Sequence, residues 1–100
     1  MWYVITGKDG PDALAIRKRA RDAHLARARQ LVDEGRMLVA GPCPTVETTD
    51  LGSVPGFSGS VIIAEFPSLQ AAQEWIAQDP YVTEGVFESH EVRPFVKVLP

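Results

Sequence analysis

The stretch PDALAIRKRARDAHLARARQLVDEG, Pro11 to Gly35, decides the fold, because Pro11 to Glu34 reads as one long helix between two short strand-like runs. At about 100° per residue, Ala13, Ile16, Ala20, Ala28 and Leu31 share a broad apolar arc, while Lys18, Arg19, Asp22, Arg29 and Asp33 point away from it. Pro11 suits the first helical turn, Asp12 suits the positive end of the helix dipole, and Gly35 supplies a left-handed cap. His24 falls near the middle of the apolar arc. An imidazole there is aimed at the core, where desolvation and one carboxylate tune its basicity. A core histidine bonded to a backbone carbonyl is the competing reading.

Outward from this helix, Trp2–Thr6 is an aromatic and β-branched run closed by Gly7-Lys8-Asp9-Gly10, a strand followed by a turn. Arg36–Gly41 is a second strand, ended by Pro42-Cys43-Pro44 because proline supplies no ladder donor. Thr45–Phe57 has no sustained apolar period and reads as a long loop. Ser60–Phe66, SVIIAEF, is a continuous apolar run that suits a central strand. Ser68 caps a second helix whose buried stripe is Leu69, Ala72, Trp75 and Ile76, and Asp79-Pro80 breaks it. One further helical turn fits Pro80–Glu84. A last strand runs from Val86 to Val98, and Pro94 confines it to an edge or a bulge.

The order β-α-β-β-α-β predicts an α+β, ferredoxin-like plait over residues 1–100: a four-stranded antiparallel sheet with both helices on one face. The other face would expose Val61, Ile63 and Val4 or Ile5, and burying it against a second copy predicts a homodimer.

Composition narrows the function. With 45% hydrophobic and 23% charged residues the chain is an ordinary globular domain, and a net charge of −3 argues against nucleic acid or an anionic membrane as the main partner. Six of the ten basic residues (Arg17, Lys18, Arg19, Arg21, Arg27 and Arg29) nevertheless lie on the first helix. A solvated charge run explains most of them. Arg17 and Arg21, however, lie on the His24 side, where they could draw in a small anion. Cys43 is the only cysteine, so there is no CxxC motif, and a reducing cytoplasm fits. The start, MWYVITGKDG, does not read as a secretory signal, and no apolar run approaches the roughly 18 residues of a membrane span.

Several chemistries fail on the same fold. The chain has no asparagine for acylphosphatase chemistry, no aromatics on SVIIAE for stacking RNA bases, no phosphate loop and no zinc-ligand spacing. What remains is a proton carrier. Asp79 is the best partner for His24, because a carboxylate just past a helix C-terminus opposes the dipole and invites a reason. It can equally cap the turn that begins at Pro80.

HLARARQLVDEGRMLVAGP (His24–Pro42), followed by GFSGSVIIAEFPSLQAAQEWIAQDPYVTEGVFESHEVRPF (Gly56–Phe95), resembles the YCII-related family over nearly the whole chain. The resemblance implies the dimeric α+β barrel superfamily, an enzymatic role, and a histidine–aspartate dyad that falls on His24 and Asp79. It also places Ser60, in the GS pair, on the same cleft, and gives Gly41 and Pro42, in the AGP turn, a pocket-shaping role in which glycine allows close backbone approach. Tyr81 stands beside the dyad as an aromatic wall or a phenolic donor. His90 has no motif around it and reads as surface.

The expectation is therefore a cofactor-independent and metal-free enzyme of lyase or isomerase type. His24 would be general acid/base, Asp79 would orient it, and Arg17, Arg21, Ser60, Tyr81, Gly41 and Pro42 would contact a small anionic, possibly aromatic, substrate. A non-catalytic ligand-binding or accessory protein is the alternative.

Overall fold

In the computed structural model, which describes residues 1–100, strand alternation sets the architecture. In β1 (Trp2–Asp9) and β3 (Phe57–Glu65), Tyr3, Ile5, Ser60, Ile62 and Ala64 are buried on one face, and Val4, Thr6, Val61 and Ile63 are half-buried on the other. These two strands pair antiparallel at the centre, with Ile5 opposite Ile62. The edges are β2 (Met37–Pro44), on β3, and β4 (Phe87–Phe95), on β1, giving the order β2-β3-β1-β4 with every neighbour antiparallel. With α1 (Ala13–Asp33), α2 (Leu69–Ala77) and the single turn α3 (Pro80–Thr83), this is the expected β-α-β-β-α-β plait.

The core lies between the sheet and the helices, where Ile5, Ile62, Phe66, Ile76 and Val86 are joined by Ala13, Ala20, Ala64 and Ala72. The alanines on α1 let that helix sit close to the strands. Gly35 ends α1 with φ of 72°, the left-handed conformation that a side chain would oppose.

Five boundaries differ from the sequence expectation. The first strand does not stop at Thr6: it continues to Asp9, because Gly7 pairs with both Ser60 and His90 and leaves room for the Phe87 ring. β2 runs through Pro42 and Pro44 instead of ending there, since an edge strand needs donors on one side only. β3 begins at Phe57, and β4 stops at Phe95 rather than Val98. α1 begins at Ala13, leaving Pro11 in the preceding turn. On α2, Leu69 is exposed rather than part of the buried stripe.

Candidate active site

One face of α1 carries the polar machinery. Arg17, His24 and Arg27 recur at intervals of seven and three residues, so they lie along the side of the helix turned toward the sheet and α3. Arg17 and His24 are buried within a chain whose buried residues are otherwise almost all apolar.

Asp79 meets His24 from the other side. Its backbone is extended just ahead of α3, and its Oδ2 accepts the Tyr81 backbone N–H at 3.0 Å, capping that turn with Pro80 at the first helical position. The same Oδ2 lies 2.7 Å from His24 Nδ1, and Oδ1 accepts from Arg27 Nη1 at 2.9 Å. The side chain is fully buried, and these donors satisfy it. Because Asp79 serves its other neighbours as an acceptor, Nδ1 is the donor in this contact, and Nε2 is the ring nitrogen left without a protein partner. Nε2 is not sealed off, and His24 lines a cavity.

Tyr81 fixes the ring plane. Its ring stacks on His24 with centroids 3.8 Å apart and planes 6° from parallel. Burial raises the Tyr81 phenol above its usual 10.0, opposed by the charges of Arg17 and Arg21, so the phenol stays a donor at neutral pH.

The cavity, about 350 Å³, opens between α1, the β2–β3 edge and the loop 45–56. Arg17, Arg21, His24, Ser60 and Tyr81 line it, as do Gly41 and Pro42, so the substrate-contact residues expected from sequence share one space, with Asp79 behind His24. Leu14, Leu25 and Phe57 supply apolar wall. Lys18 adds a further cation, and no aspartate or glutamate lines the space, which therefore favours an anion.

Arg17 lines the cavity, and its charge is already paired. Its Nε and Nη2 form a two-pronged pair with Asp9 at 2.7 and 2.9 Å, and Nη2 also donates to Ser60 Oγ and the Gly59 carbonyl. Gly41 is not a site of close backbone approach, because a Cβ there would meet open space. His90 is exposed on β4, away from His24.

Asp9 and Arg27 were missed. Asp9 sat in a stretch read as a turn, and Arg27 in a basic run read as solvated. Arg27 instead bridges Asp79 and the Trp75 carbonyl, with its guanidinium 4.5 Å over the Trp75 ring. Its position three residues after His24, on the same helix face, was the available signal.

The antiparallel plait and a largely apolar cavity with cationic side chains in its wall, between the first helix and the sheet, define a small α+β domain with a ligand-sized site. The YCII-related domain description matches residues 1–96, and the chain belongs to that family. It is 54% identical over 99 residues to Protein YciI of Escherichia coli O6:H1, covering 99% of this chain and 100% of that protein. It is 49% identical over 99 residues to an uncharacterized protein of Haemophilus influenzae, with the same coverage. Among solved structures it resembles the 5-chloro-2-hydroxyhydroquinone dehydrochlorinase of Burkholderia phenoliruptrix AC1100, in complex with 2,5-dihydroxybenzoquinone. That likeness has a TM-score of 0.83 and 27% identity, covering 96% of this chain and 94% of the other. No helix is long and apolar enough to cross a membrane.

Proposed function

We propose that this protein is a cofactor-independent acid–base enzyme that removes and returns protons on a small, hydroxylated and anionic substrate, in an isomerisation or elimination. The observation that carries this reading is the 2.7 Å contact between His24 Nδ1 and Asp79, with Nε2 left free beside the cavity. Asp79 orients the ring and stabilises the imidazolium formed when Nε2 takes a proton, and Tyr81 holds the ring plane. The structural likeness to an enzyme that eliminates chloride from a hydroxylated ring, and binds a dihydroxyquinone, supports the same class of chemistry. Arg21 and Lys18 attract the anion, and Ser60, Gly41 and Pro42 shape the wall. A homodimer is the proposed working unit, and a lone, half-buried Cys43 suits a cytoplasmic setting.

The test is proton exchange. Hydroquinones and hydroxylated aromatic acids incubated with the protein in heavy water should gain deuterium at carbon. The exchange should vanish in His24→Ala and fall by about 10²-fold or more in Asp79→Asn, whose amide can still cap α3. Binding without exchange would identify a ligand-binding protein instead, and exchange that persists in His24→Ala would remove His24 from the reaction.

A further inference from the structure

Arg17 is the most heavily invested residue of the cavity, and acid–base chemistry at His24 does not require it. Its side chain is only 8% exposed, and three aromatic rings surround the guanidinium: Phe57 at 4.5 Å, Tyr81 at 5.0 Å and Phe87 at 5.9 Å. Asp9, itself 3% exposed, balances the charge. Removing two opposite charges from water costs several kcal/mol per ion before their attraction is counted, and an apolar pair of similar volume would often be as stable. Stability alone is therefore a weak reason for this arrangement.

The hydrogen bonds are arranged unevenly. Nε and Nη2 hold Asp9, Ser60 and Gly59, which fixes the guanidinium plane, whereas Nη1 makes no hydrogen bond of ordinary length and angle. No buried polar side-chain atom lacks a partner, so Nη1 is not sealed in the protein, and Arg17 lines the same cavity as His24. A locked, charged donor thus stands in the wall of the cavity that His24 also lines. The Tyr81 phenol lies close enough to feel the guanidinium and stays protonated, giving a second donor at the same place. Donors fixed beforehand, in a site largely closed to water, stabilise developing negative charge most effectively.

We propose that Arg17, through Nη1, binds the oxygen on which negative charge develops, so that the substrates of this site are phenols and enolisable carbonyl compounds. This rests on the acid–base reading above and narrows it. His24 Nε2 takes a proton from carbon; the C–H electron pair forms a C=C bond, and the carbonyl π pair moves onto oxygen opposite Arg17 and Tyr81. When the oxygen pair re-forms the carbonyl, the C=C pair either takes the proton back from His24, at the same carbon or, in a conjugated system, at a more distant one, or expels an anionic leaving group from the neighbouring carbon. A phenol enters the same sequence by giving its O–H proton to His24 and leaving its oxygen negative. No electrons enter or leave.

The probes are 4-nitrophenolate, at a pH where the free phenol is fully ionised, and nitrobenzene, its uncharged analogue. The wild-type protein should bind the phenolate tighter by about tenfold or more, the scale of a hydrogen bond to a charged group. Because Arg17→Gln alone strands Asp9, the informative variant is Asp9→Asn with Arg17→Gln, which removes both charges. Its preference should fall by about tenfold, the part that the Arg17 hydrogen bond supplies, leaving only what Arg21 and Lys18 contribute, with nitrobenzene affinity kept as evidence that the cavity is intact. His24→Ala should keep the preference, so failure of the acid–base reading leaves this measurement unmoved. Equal binding of the two probes by the wild type, binding of neither, or a preference that is undiminished by the double substitution or disappears in His24→Ala would each overturn the proposal.

Discussion

Asp79 does two jobs with one carboxylate: it starts a turn of helix and holds an imidazole. Capping fixes where the carboxylate points, because Oδ2 must reach the Tyr81 backbone N–H, and the same oxygen is then within 2.7 Å of His24. The cap places Tyr81 as well, since the residue whose N–H it accepts is the residue whose ring stacks on His24. Tyr81 yields a prediction at this scale. Burial raises its phenol above 10.0, with Arg17 and Arg21 pulling the other way. An acid whose folded value is raised keeps its proton in the folded state after the unfolded chain has lost it. Its contribution to stability is therefore complete below about 10 and is lost as pH rises through the folded value. Tyr81 should give a rise in tyrosinate absorbance at higher pH than a free tyrosine side chain. Tyr81→Phe should delete that component and reduce the alkaline loss of stability measured by denaturant melts. Deletion of an early component instead would show the phenol to be well solvated.

Elements that follow hydrophobic period were legible, and those decided by tertiary pairing were not. The helices, the central strand and the caps at Ser68 and Gly35 follow from spacing and local chemistry, and Ser68 Oγ does accept the Ala71 N–H at 3.0 Å. Pro42 and Pro44 misled because proline forbids a central strand and permits an edge, and edge or centre is a property of the whole sheet. The site divides in the same way. The inward phase of His24 is a local signal, and Asp79 was reachable from its awkward place after a helix. Asp9, though, lies in what resembles a turn, and only the continuation of β1 brings it to Arg17. That continuation depends on close approach. A Cβ on Gly59 would overlap the Gly7 carbonyl oxygen across the β1–β3 pair, and one on Gly7 would overlap the Phe87 ring. Gly59 also offers its own carbonyl to Arg17. Gly59→Ala should therefore cost about 1–3 kcal/mol, the range for overpacked sites, and weaken ligand binding at the cavity. Gly41→Ala, built into open space, is the matched control. Equal melting temperatures for the two variants would show that the strands can separate without cost.

The plait covers one sheet face with helices and leaves the other without any. On the free face the pairing Val39–Ile63–Val4 crosses three strands, with Val61 on β3 and Trp2 opposite Phe95 beside it. Val39 is 53% exposed in a single subunit. The alternatives to covering this face are restricted. Pairing through a sheet edge would have to use β2, with Pro42 and Pro44, or β4, with Pro94, and proline is one of the devices that blunt an edge. Face-to-face association of two copies avoids both edges and removes the apolar area from water at about 25 cal/mol per Å². An ordinary stable interface would bury about 1,200–2,000 Å² in total, which requires only a modest part of each subunit's 6116 Å². Light scattering at micromolar concentration should give about twice the 10.9 kDa chain mass. Ile63→Glu places a charge at the centre of the free face, which burial in an interface would desolvate, and should produce a folded monomer with unchanged helical circular dichroism. A wild-type monomer, or an Ile63→Glu protein that stays dimeric, would mean that the free face is not where this chain meets its own copy.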